Sequence, residues 1–441
     1  MSTISSTNLP VELWMAIFKL VLRNWLVPHP ALDLVDSIKF LRMGCAPIWE
    51  YFRVERARTN LRLVCKRWST ILSSPTVRFA VQVDPKSSDI THYMHAVDRI
   101  HNLDPTCFCE GEVLVDGVCE ARRFLGKRQR MEEENYASRN ASVQVLRTRV
   151  LCTRDTSPES LAGLLECNPL LEALCTILGT FVSSEKLLSS STLQGIIYLT
   201  LGDKLQGTKE IVQISLPNLL FLDYEPFRPL SRTESFNKPV PMETWSLLQL
   251  RTLILRKVAE NGTLPPAFIR FILSHKSTLT QLVMFYPTHG SQPSIEENTL
   301  LELVVLLPNL EIFGTEAVFF LQITPSLTLS LSAERQRTLL LHHWPHRQLL
   351  GDKTGRIKEN LNRLFISPKL FTDIQLYGTW EELTKEALHS RSHPLSSAEY
   401  LLTVLQCAHD LAIPIQDGER VSLSDKEWKQ WKTRIGQTSR D

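Results

Sequence analysis

The first strongly patterned segment of the chain predicts a helix with two apolar ridges side by side. One ridge consists of Leu13, Ile17, Leu20 and Val21, and the other of Trp14, Phe18 and Leu22. Pro10 and Glu12 suit its first turn, where a missing N–H is tolerated and the helix dipole favours a carboxylate. A helix this short cannot bury two faces inside a small domain. We therefore expect one ridge to lie in a core and the other to face a partner.

A second segment predicts a single amphipathic helix. Its apolar positions follow the i, i+3, i+4, i+7 spacing and are Leu61, Val64, Cys65, Trp68, Ile71 and Leu72. The sequence Ser73-Ser74-Pro75 is expected to end this helix, because proline disfavours helical angles in the residue before it. Shortly afterwards, the alternation Ala80-Val81-Gln82-Val83 predicts a strand.

Together these two segments resemble an F-box, the module by which Skp–cullin–F-box ubiquitin ligases hold their adaptor. The resemblance rests on Leu9-Pro10-x-Glu12-Leu13 and on Leu61-x-x-Val64-Cys65-x-x-Trp68, followed by the Ser-Pro turn. It covers about residues 8–24 and 58–80. The sequence departs from the family pattern in two places. About 35 residues separate the halves, where an F-box usually has a short link, and Phe79 only approximates the final aromatic.

The resemblance implies that the Skp adaptor, and through it cullin, binds this N-terminal module. The residues it implies in adaptor binding are Leu9, Pro10, Leu13, Ile17, Leu61, Val64, Cys65 and Trp68. The pattern does not separate residues that face the adaptor from residues in the module's own core. An ordinary helical domain that buries all of them is the alternative.

From about residue 145 onward, a unit with the pattern Leu-x-x-Leu-x-Leu recurs. Its first positions are Leu171, Ile196, Leu219, Leu250, Leu279, Leu310 and Phe371. The steps between the first six are 25, 23, 31, 29 and 31 residues, and Leu361-x-x-Leu364-x-Ile366 is a candidate for a degenerate unit before the last. Each unit predicts a short strand covered by a helix or an extended turn. No such unit can bury its apolar face alone, so neighbouring units are expected to stack.

This spacing resembles the irregular leucine-rich repeats that follow many F-boxes, particularly fungal ones. The expected fold is α/β, with an N-terminal helical F-box followed by an irregular leucine-rich-repeat solenoid. An α-helical repeat and a compact α/β domain with chance leucine spacing are the alternatives. The expected domains are an F-box at 1–80 with an insertion at 24–57, a linker or cap at 81–144, the solenoid at 145–415, and a cap helix at 416–441. The insertion is expected to form a helical hairpin on the F-box, and a separate partner site is the alternative.

Two further patterns concern the end of the chain. Residues 398–412 predict an apolar helix, and Ser424-x-x-Glu427 has the spacing of a capping box. Trp428, Trp431 and Ile435 then share one helical face, surrounded by lysine and arginine. This helix is expected to close the repeat domain, because a terminal repeat needs a polar cap. A tail that docks elsewhere is the alternative.

Composition and charge argue against several classes of function. Hydrophobic residues make up 43% and charged residues 22% of the chain, as in ordinary globular proteins, and the net charge is +2. This charge gives no overall field for nucleic acid or an anionic membrane, so neither is expected as a partner. The sequence has no long apolar span and no secretory signal, and its nine scattered cysteines suit reduced thiols. A cytoplasmic or nuclear location is expected.

Two groups of metal-binding residue types lack the spacing of a zinc site. The first contains His92, His95, His101, Cys107, Cys109 and Cys119, without paired C-x-x-C knuckles. The second contains His342, His343 and His346 beside Pro345, which disfavours the regular helix that would aim them together. Motifs for a nucleophile elbow, a phosphate loop, a dinucleotide site or a zinc protease are also absent from the sequence. We expect no metal, no cofactor and no catalysis.

The sequence therefore predicts a non-catalytic substrate receptor of a ubiquitin ligase. Its N-terminal module would bind the adaptor, and its repeat domain would bind a protein target that the sequence does not identify. A ligase-independent leucine-rich-repeat scaffold is the alternative.

Overall fold

The chain divides into two compact units in the computed structural model. The first comprises Met1–Leu205 and Leu216–Leu219, and the second comprises Gln206–Ser215 and Leu220–Asp441. Within them the structure describes residues 9–23, 57–73, 80–83, 99–102, 150–153, 158–166, 168–177, 189–202, 213–225, 244–256, 264, 266–285, 297–316, 336–342, 354–366, 370–381, 383–384 and 397–437. Most of the predicted insertion, residues 24–56, lies outside these ranges.

Among the residues that the structure describes, the first unit contains four labelled helices, a further helical stretch at residues 57–62, and five parallel strands. The helices are α1 (Val11–Arg23), α2 (Lys66–Ser73), α3 (Pro158–Glu166) and α4 (Ser191–Gln194). The strands are β1 (Ala80–Val83), β2 (Arg99–Asn102), β3 (Val150–Thr153), β4 (Ala173–Ile177) and β5 (Tyr198–Gly202). Each strand pairs with the next one in the chain. The strand predicted from the alternation at Ala80–Val83 is confirmed.

The second unit repeats this arrangement with seven parallel strands. They are β6 (Phe221–Glu225), β7 (Thr252–Arg256), β8 (Gln281–Phe285), β9 (Ile312–Glu316), β10 (Thr338–His342), β11 (Asp373–Leu376) and β12 (Ile415–Gln416), paired in chain order. The helices are α5 (Pro266–Ser274), α6 (Glu297–Leu306), α7 (Thr354–Phe365), α8 (Ser397–Asp410) and α9 (Asp425–Gln437). The predicted α/β class is confirmed.

Seven strands begin where the leucine pattern places them. Strands β4 to β9 and β11 each start two residues after the first position of a predicted unit. The prediction at Leu361, Leu364 and Ile366 was wrong, because Leu361 and Leu364 lie in helix α7. The strand between β9 and β11 is instead β10. A spacing of three residues suits one face of a helix as well as it suits this strand motif, which explains the error.

Both faces of the second unit's sheet are buried. Register aligns Leu253, Leu282, Phe313, Leu339 and Ile374 on one face, and all are fully buried. On the opposite face, register aligns Ile254, Val283, Gly314, Leu340 and Gln375. Ile254, Val283, Leu340 and Gln375 in this second row are also buried. Near-continuous apolar strands are typical of parallel sheets covered on both sides.

Two features of the second face show how closely it packs. A Cβ placed on Gly314 would lie 2.8 Å from both γ-carbons of Val283, so glycine permits the approach of these strands. Asp223 is buried in the same row and accepts two hydrogen bonds from Arg256, at 2.8 and 2.7 Å. A bidentate pair satisfies both carboxylate oxygens of a buried charge.

The C-terminal helices form an aromatic cluster in the second unit. Trp428 and Trp431 are buried on α9, and their rings lie 6.4 and 5.2 Å from the ring of Trp380. Ser424 and Glu427 form the predicted capping box: the Ser424 N–H donates to Glu427 Oε2 at 2.9 Å, and the Glu427 N–H donates to Ser424 Oγ at 3.4 Å. The predicted helix around 398–412 is confirmed as α8.

Candidate partner-binding surface

Helix α1 starts at the proline that the sequence pattern assigned to its first turn. The N–H of Trp14 donates to the Pro10 carbonyl at 3.2 Å, which closes the first turn. The carbonyl of Leu9 accepts a hydrogen bond from Arg67 Nη2 at 2.6 Å. This bond joins the segment before α1 to helix α2, 58 residues further along the chain.

A small aromatic core holds α1 and α2 together. Phe18, Ile71 and Leu72 are its buried residues, and Trp14 and Trp68 pack against them. The Trp68 ring lies 4.9 Å from the ring of Trp14 and 5.1 Å from that of Phe18. The buried Arg58 adds a hydrogen bond from Nη1 to the Leu72 carbonyl, at 2.9 Å. The Trp14–Phe18 ridge is therefore the side of α1 that faces the core.

The first two residues of the other ridge of α1, Leu13 and Ile17, are exposed. Leu13 is 50% exposed and Ile17 is 38% exposed, and Val11 beside them is 42% exposed. Ala16 is exposed as well, so the open strip continues along this side of the helix. The expectation that one short helix would leave an apolar ridge uncovered therefore agrees with the exposure of these side chains.

The predicted single helix across residues 61–72 was wrong. Residues 57–62 are helical, residues 63–65 form a turn, and α2 begins at Lys66. Cys65 caps α2: its Sγ accepts the Trp68 N–H at 3.4 Å, and its carbonyl accepts the Ser69 N–H at 2.9 Å. A side-chain acceptor at this position satisfies an N–H that the helix itself leaves unpaired. The apolar spacing was compatible with a continuous helix and gave no sign of this break.

The break exposes two apolar side chains. Leu63 is 80% exposed and Val64 is 61% exposed in the turn. Both residues lie in the same module as the exposed side of α1. The periodic pattern had included Val64 among the apolar positions of a single helix and had not included Leu63. The module therefore presents apolar side chains from a helix and from a turn.

The structure separates the eight predicted binding residues into two groups. Pro10, Leu13, Ile17, Val64 and Cys65 are exposed. Leu9, Leu61 and Trp68 are half-buried, and the last two pack against the aromatic core.

Sequence reasoning missed Val11 and Leu63, whose exposure follows from the position of the helix start and of the turn. We name the exposed set of Val11, Leu13, Ile17, Leu63 and Val64 the apolar strip.

The chain matches no protein-family model, and no curated protein is significantly similar to it in sequence. The resemblance to an F-box therefore depends on the residues quoted above.

The second unit contains a groove at the edge where its strands begin. It has a volume of about 770 Å³ and is lined by residues that precede β7 to β10, among them Leu248, Arg251, Thr280, Asn309, Glu311 and Gln336. Asn309 Nδ2 donates to the Ser277 carbonyl at 2.6 Å, which connects neighbouring turns along this edge. The residues that line the groove include an exposed leucine, Leu248, one cation, Arg251, and one anion, Glu311.

His275, close to this groove in sequence, has a structural role. Its Nδ1 lies 2.9 Å from both Ser274 Oγ and the Phe271 carbonyl, and its ring packs 4.7 Å from that of Phe271. Burial lowers the pKa of this imidazole, and the hydrogen bond to Phe271 opposes the shift.

The part of the chain that the structure describes contains neither a cluster of metal-binding side chains nor a helix able to cross a membrane. Among those residues, no group of three or more His, Cys, Asp or Glu side chains is arranged to hold a metal ion. His92, His95, Cys107, Cys109, Cys119, His343 and His346 lie outside the described ranges. No described helix is both long enough and apolar enough to cross a membrane.

Proposed function

We propose that residues 9–73 bind a Skp-type adaptor and that this protein is a substrate receptor of a Skp–cullin–F-box ubiquitin ligase. The observation that carries the proposal is the apolar strip. The core between α1 and α2 is already filled by Phe18, Ile71 and Leu72, with Trp14 and Trp68 packed against it. Leu13 and Ile17 therefore have no place in that core and remain available to a partner.

The apolar strip would supply part of the free energy of binding to an adaptor. Full burial of a Val, Leu or Ile side chain contributes about 1.5–3 kcal/mol. Because these side chains are already partly covered, each would add about 1 kcal/mol on binding, and the five together would add several. The remaining exposed residues of the module would supply the polar rim that surrounds most interface cores.

The repeat domain is proposed to hold the target by irregular leucine-rich repeats. Consecutive parallel strands, seven of which start two residues after the first position of a Leu-x-x-Leu-x-Leu unit, support this assignment. Since both faces of the second sheet are buried, the groove at the strand edge is the described surface best suited to a target. The mechanism is proximity: the receptor raises the effective concentration of a target lysine near the ubiquitin-loaded enzyme, and no residue of this chain performs chemistry.

Co-purification with a recombinant Skp adaptor tests the docking role. We expect the double variant Leu13→Asp/Ile17→Asp to lose binding by at least about 100-fold, because it removes two apolar contacts and buries two charges. Its fold should persist, because both side chains are exposed. Leu306→Asp is the matched control, since Leu306 is 55% exposed on a helix of the second unit and should bind as the wild type does. Undiminished binding by a folded double variant would contradict the proposal.

Cullin distinguishes the ligase receptor from the ligase-independent scaffold. If the adaptor bound to this protein also recruits cullin, the three should elute as one complex in size-exclusion chromatography. A stable complex with the adaptor that excludes cullin would favour the scaffold instead.

A further inference from the structure

The groove at the strand edge of the second unit crosses the starts of consecutive strands. Arg251, Thr280 and Glu311 line it, and each lies one residue before a strand, β7, β8 and β9 respectively. The Thr280 N–H donates to the Arg251 carbonyl at 2.9 Å, and the Glu311 N–H donates to the Thr280 carbonyl at 2.7 Å. These three residues therefore follow one another along the groove, and Gln336, shortly before β10, extends the lining.

The two charged side chains of this lining are unpaired. Arg251 and Glu311 are both exposed, and neither the guanidinium nor the carboxylate forms a hydrogen bond or an ion pair with any residue that the structure describes. Elsewhere in the second unit, Arg256 and Asp223 satisfy each other in a bidentate pair. The groove therefore offers a cation and an anion that remain available to a bound molecule.

The lining also favours one kind of occupant. A polyanion such as nucleic acid would be attracted by Arg251 and repelled by Glu311, so it does not complement the groove. Leu248, which is 70% exposed in the turn before Arg251, adds an apolar contact. The amides of Gln249 and Gln336 can donate to a peptide backbone and accept from it. A polypeptide carries both signs of charge, apolar side chains and backbone polar groups, and therefore matches all of these features.

We propose that the groove binds an extended segment of a target protein in which an acidic residue faces Arg251 and a basic residue faces Glu311. Adjacent strands lie about 4.8 Å apart, so the backbones of Arg251 and Glu311, two strands apart, are separated by about 10 Å. An extended chain rises about 3.3 Å per residue, which places the two charges about three positions apart in the segment. An apolar residue near the acidic one contacts Leu248. The assignment of this segment to a ubiquitination target rests on the proposed function, whereas peptide binding itself requires no adaptor.

Selection of phage-displayed random peptides on the full-length chain, without adaptor, tests the site. We expect enriched peptides to carry an acidic and a basic residue about three positions apart. Fluorescence anisotropy of an enriched peptide should show binding weakened by about tenfold in Arg251→Glu and in Glu311→Lys, because each change replaces an attraction with a repulsion. Replacing the peptide's acidic residue by lysine should restore most of the affinity of Arg251→Glu. Arg356→Glu, an exposed change on α7 outside the groove, should bind as the wild type does.

Recovery of binding by the reversed peptide also shows that Arg251→Glu is folded. The proposal is overturned if no peptide is enriched, if both charge reversals leave binding unchanged, or if the reversed peptide fails to recover. Single-stranded DNA binding, or self-association detected by light scattering, that Arg251→Glu abolishes would assign the groove to a polyanion or to a second copy of this chain and would overturn it too. Leu13→Asp/Ile17→Asp should bind the peptide normally, so failure of adaptor docking is distinguished from failure of this site.

Discussion

The N-terminal module and the second unit handle apolar side chains in opposite ways. In the module, α1 places one ridge in a small aromatic core and leaves Leu13 and Ile17 open. In the second unit, both faces of the sheet are buried, including Leu339 on one and Leu340 on the other. The apolar surface of the module is therefore available for binding, whereas that of the sheet is used for folding.

This difference in the burial of apolar side chains corresponds to separate roles for the two regions in the proposed function. A module with a core of a few side chains gains little from its own packing, and a partner that covers the open ridge would stabilise it. In the proposed function, a sheet packed on both faces would offer a target its edge rather than a face. The predictions below test this contrast, beginning with the largest effect.

Removing the centre of the aromatic core should unfold the module. Phe18 is 2% exposed and contacts both Trp14 and Trp68, so Phe18→Ala should cost about 3–5 kcal/mol. Hydrogen exchange of the α2 amides measures the loss, because these amides are protected only while the two helices pack together. Leu13→Ala, on the exposed ridge, should change their exchange little. Equal effects of the two substitutions would show that the ridges are not distinct.

Truncation on the second face of the sheet should be nearly as costly. Leu340 is fully buried, so Leu340→Ala should lower the free energy of unfolding of the second unit by about 2–5 kcal/mol. Urea denaturation followed by circular dichroism measures the change. If this face were exposed to solvent, Leu340→Ala would change the free energy of unfolding by no more than about 0.5 kcal/mol. A value that small would contradict the burial of both faces.

The smallest expected effect concerns helix α9 at acid pH. Hydrogen bonds from the hydroxyl and the backbone N–H of Ser424 lower the pKa of Glu427. The capping interaction therefore contributes its full stability above a pH of about 4.3, the pKa of glutamate in the unfolded chain. This contribution is lost as the pH falls through the lower pKa of Glu427 in the folded protein. Exchange protection of the first turn of α9 should decrease over this range. In Glu427→Gln this pH dependence should disappear, whereas Lys429→Gln, an exposed change on the same helix, should keep it.

Much of the order of parallel strands could be predicted from leucine spacing. Leu250, Leu279 and Leu310 each lie two residues before a strand, because alternate leucines on a short strand must point into one core. Strand β10 was missed because Leu339, Leu340 and Leu341 form a continuous apolar run without the alternation that the motif requires. Such a run indicates burial on both sides, and this information was present in the sequence.

The candidate binding surface was predictable only in part. The two ridges of α1 follow from helical periodicity, but their assignment to core or solvent depends on Trp68, which lies about fifty residues away in the chain. The turn at 63–65 depends on Cys65, which acts as the N-terminal cap of α2. Serine, threonine, aspartate and asparagine are the residues that usually indicate such a cap, so the cysteine did not indicate one in the sequence. Leu63 was overlooked for this reason.

The most direct test of the account is hydrogen–deuterium exchange of the full-length chain with and without a saturating Skp adaptor. We predict slower exchange in residues 9–23 and in the turn at 63–65, together with unchanged exchange in strands β7 to β9. Tight binding that leaves the N-terminal module unchanged, or that protects the strands instead, would contradict the assignment of the apolar strip as the adaptor-binding surface.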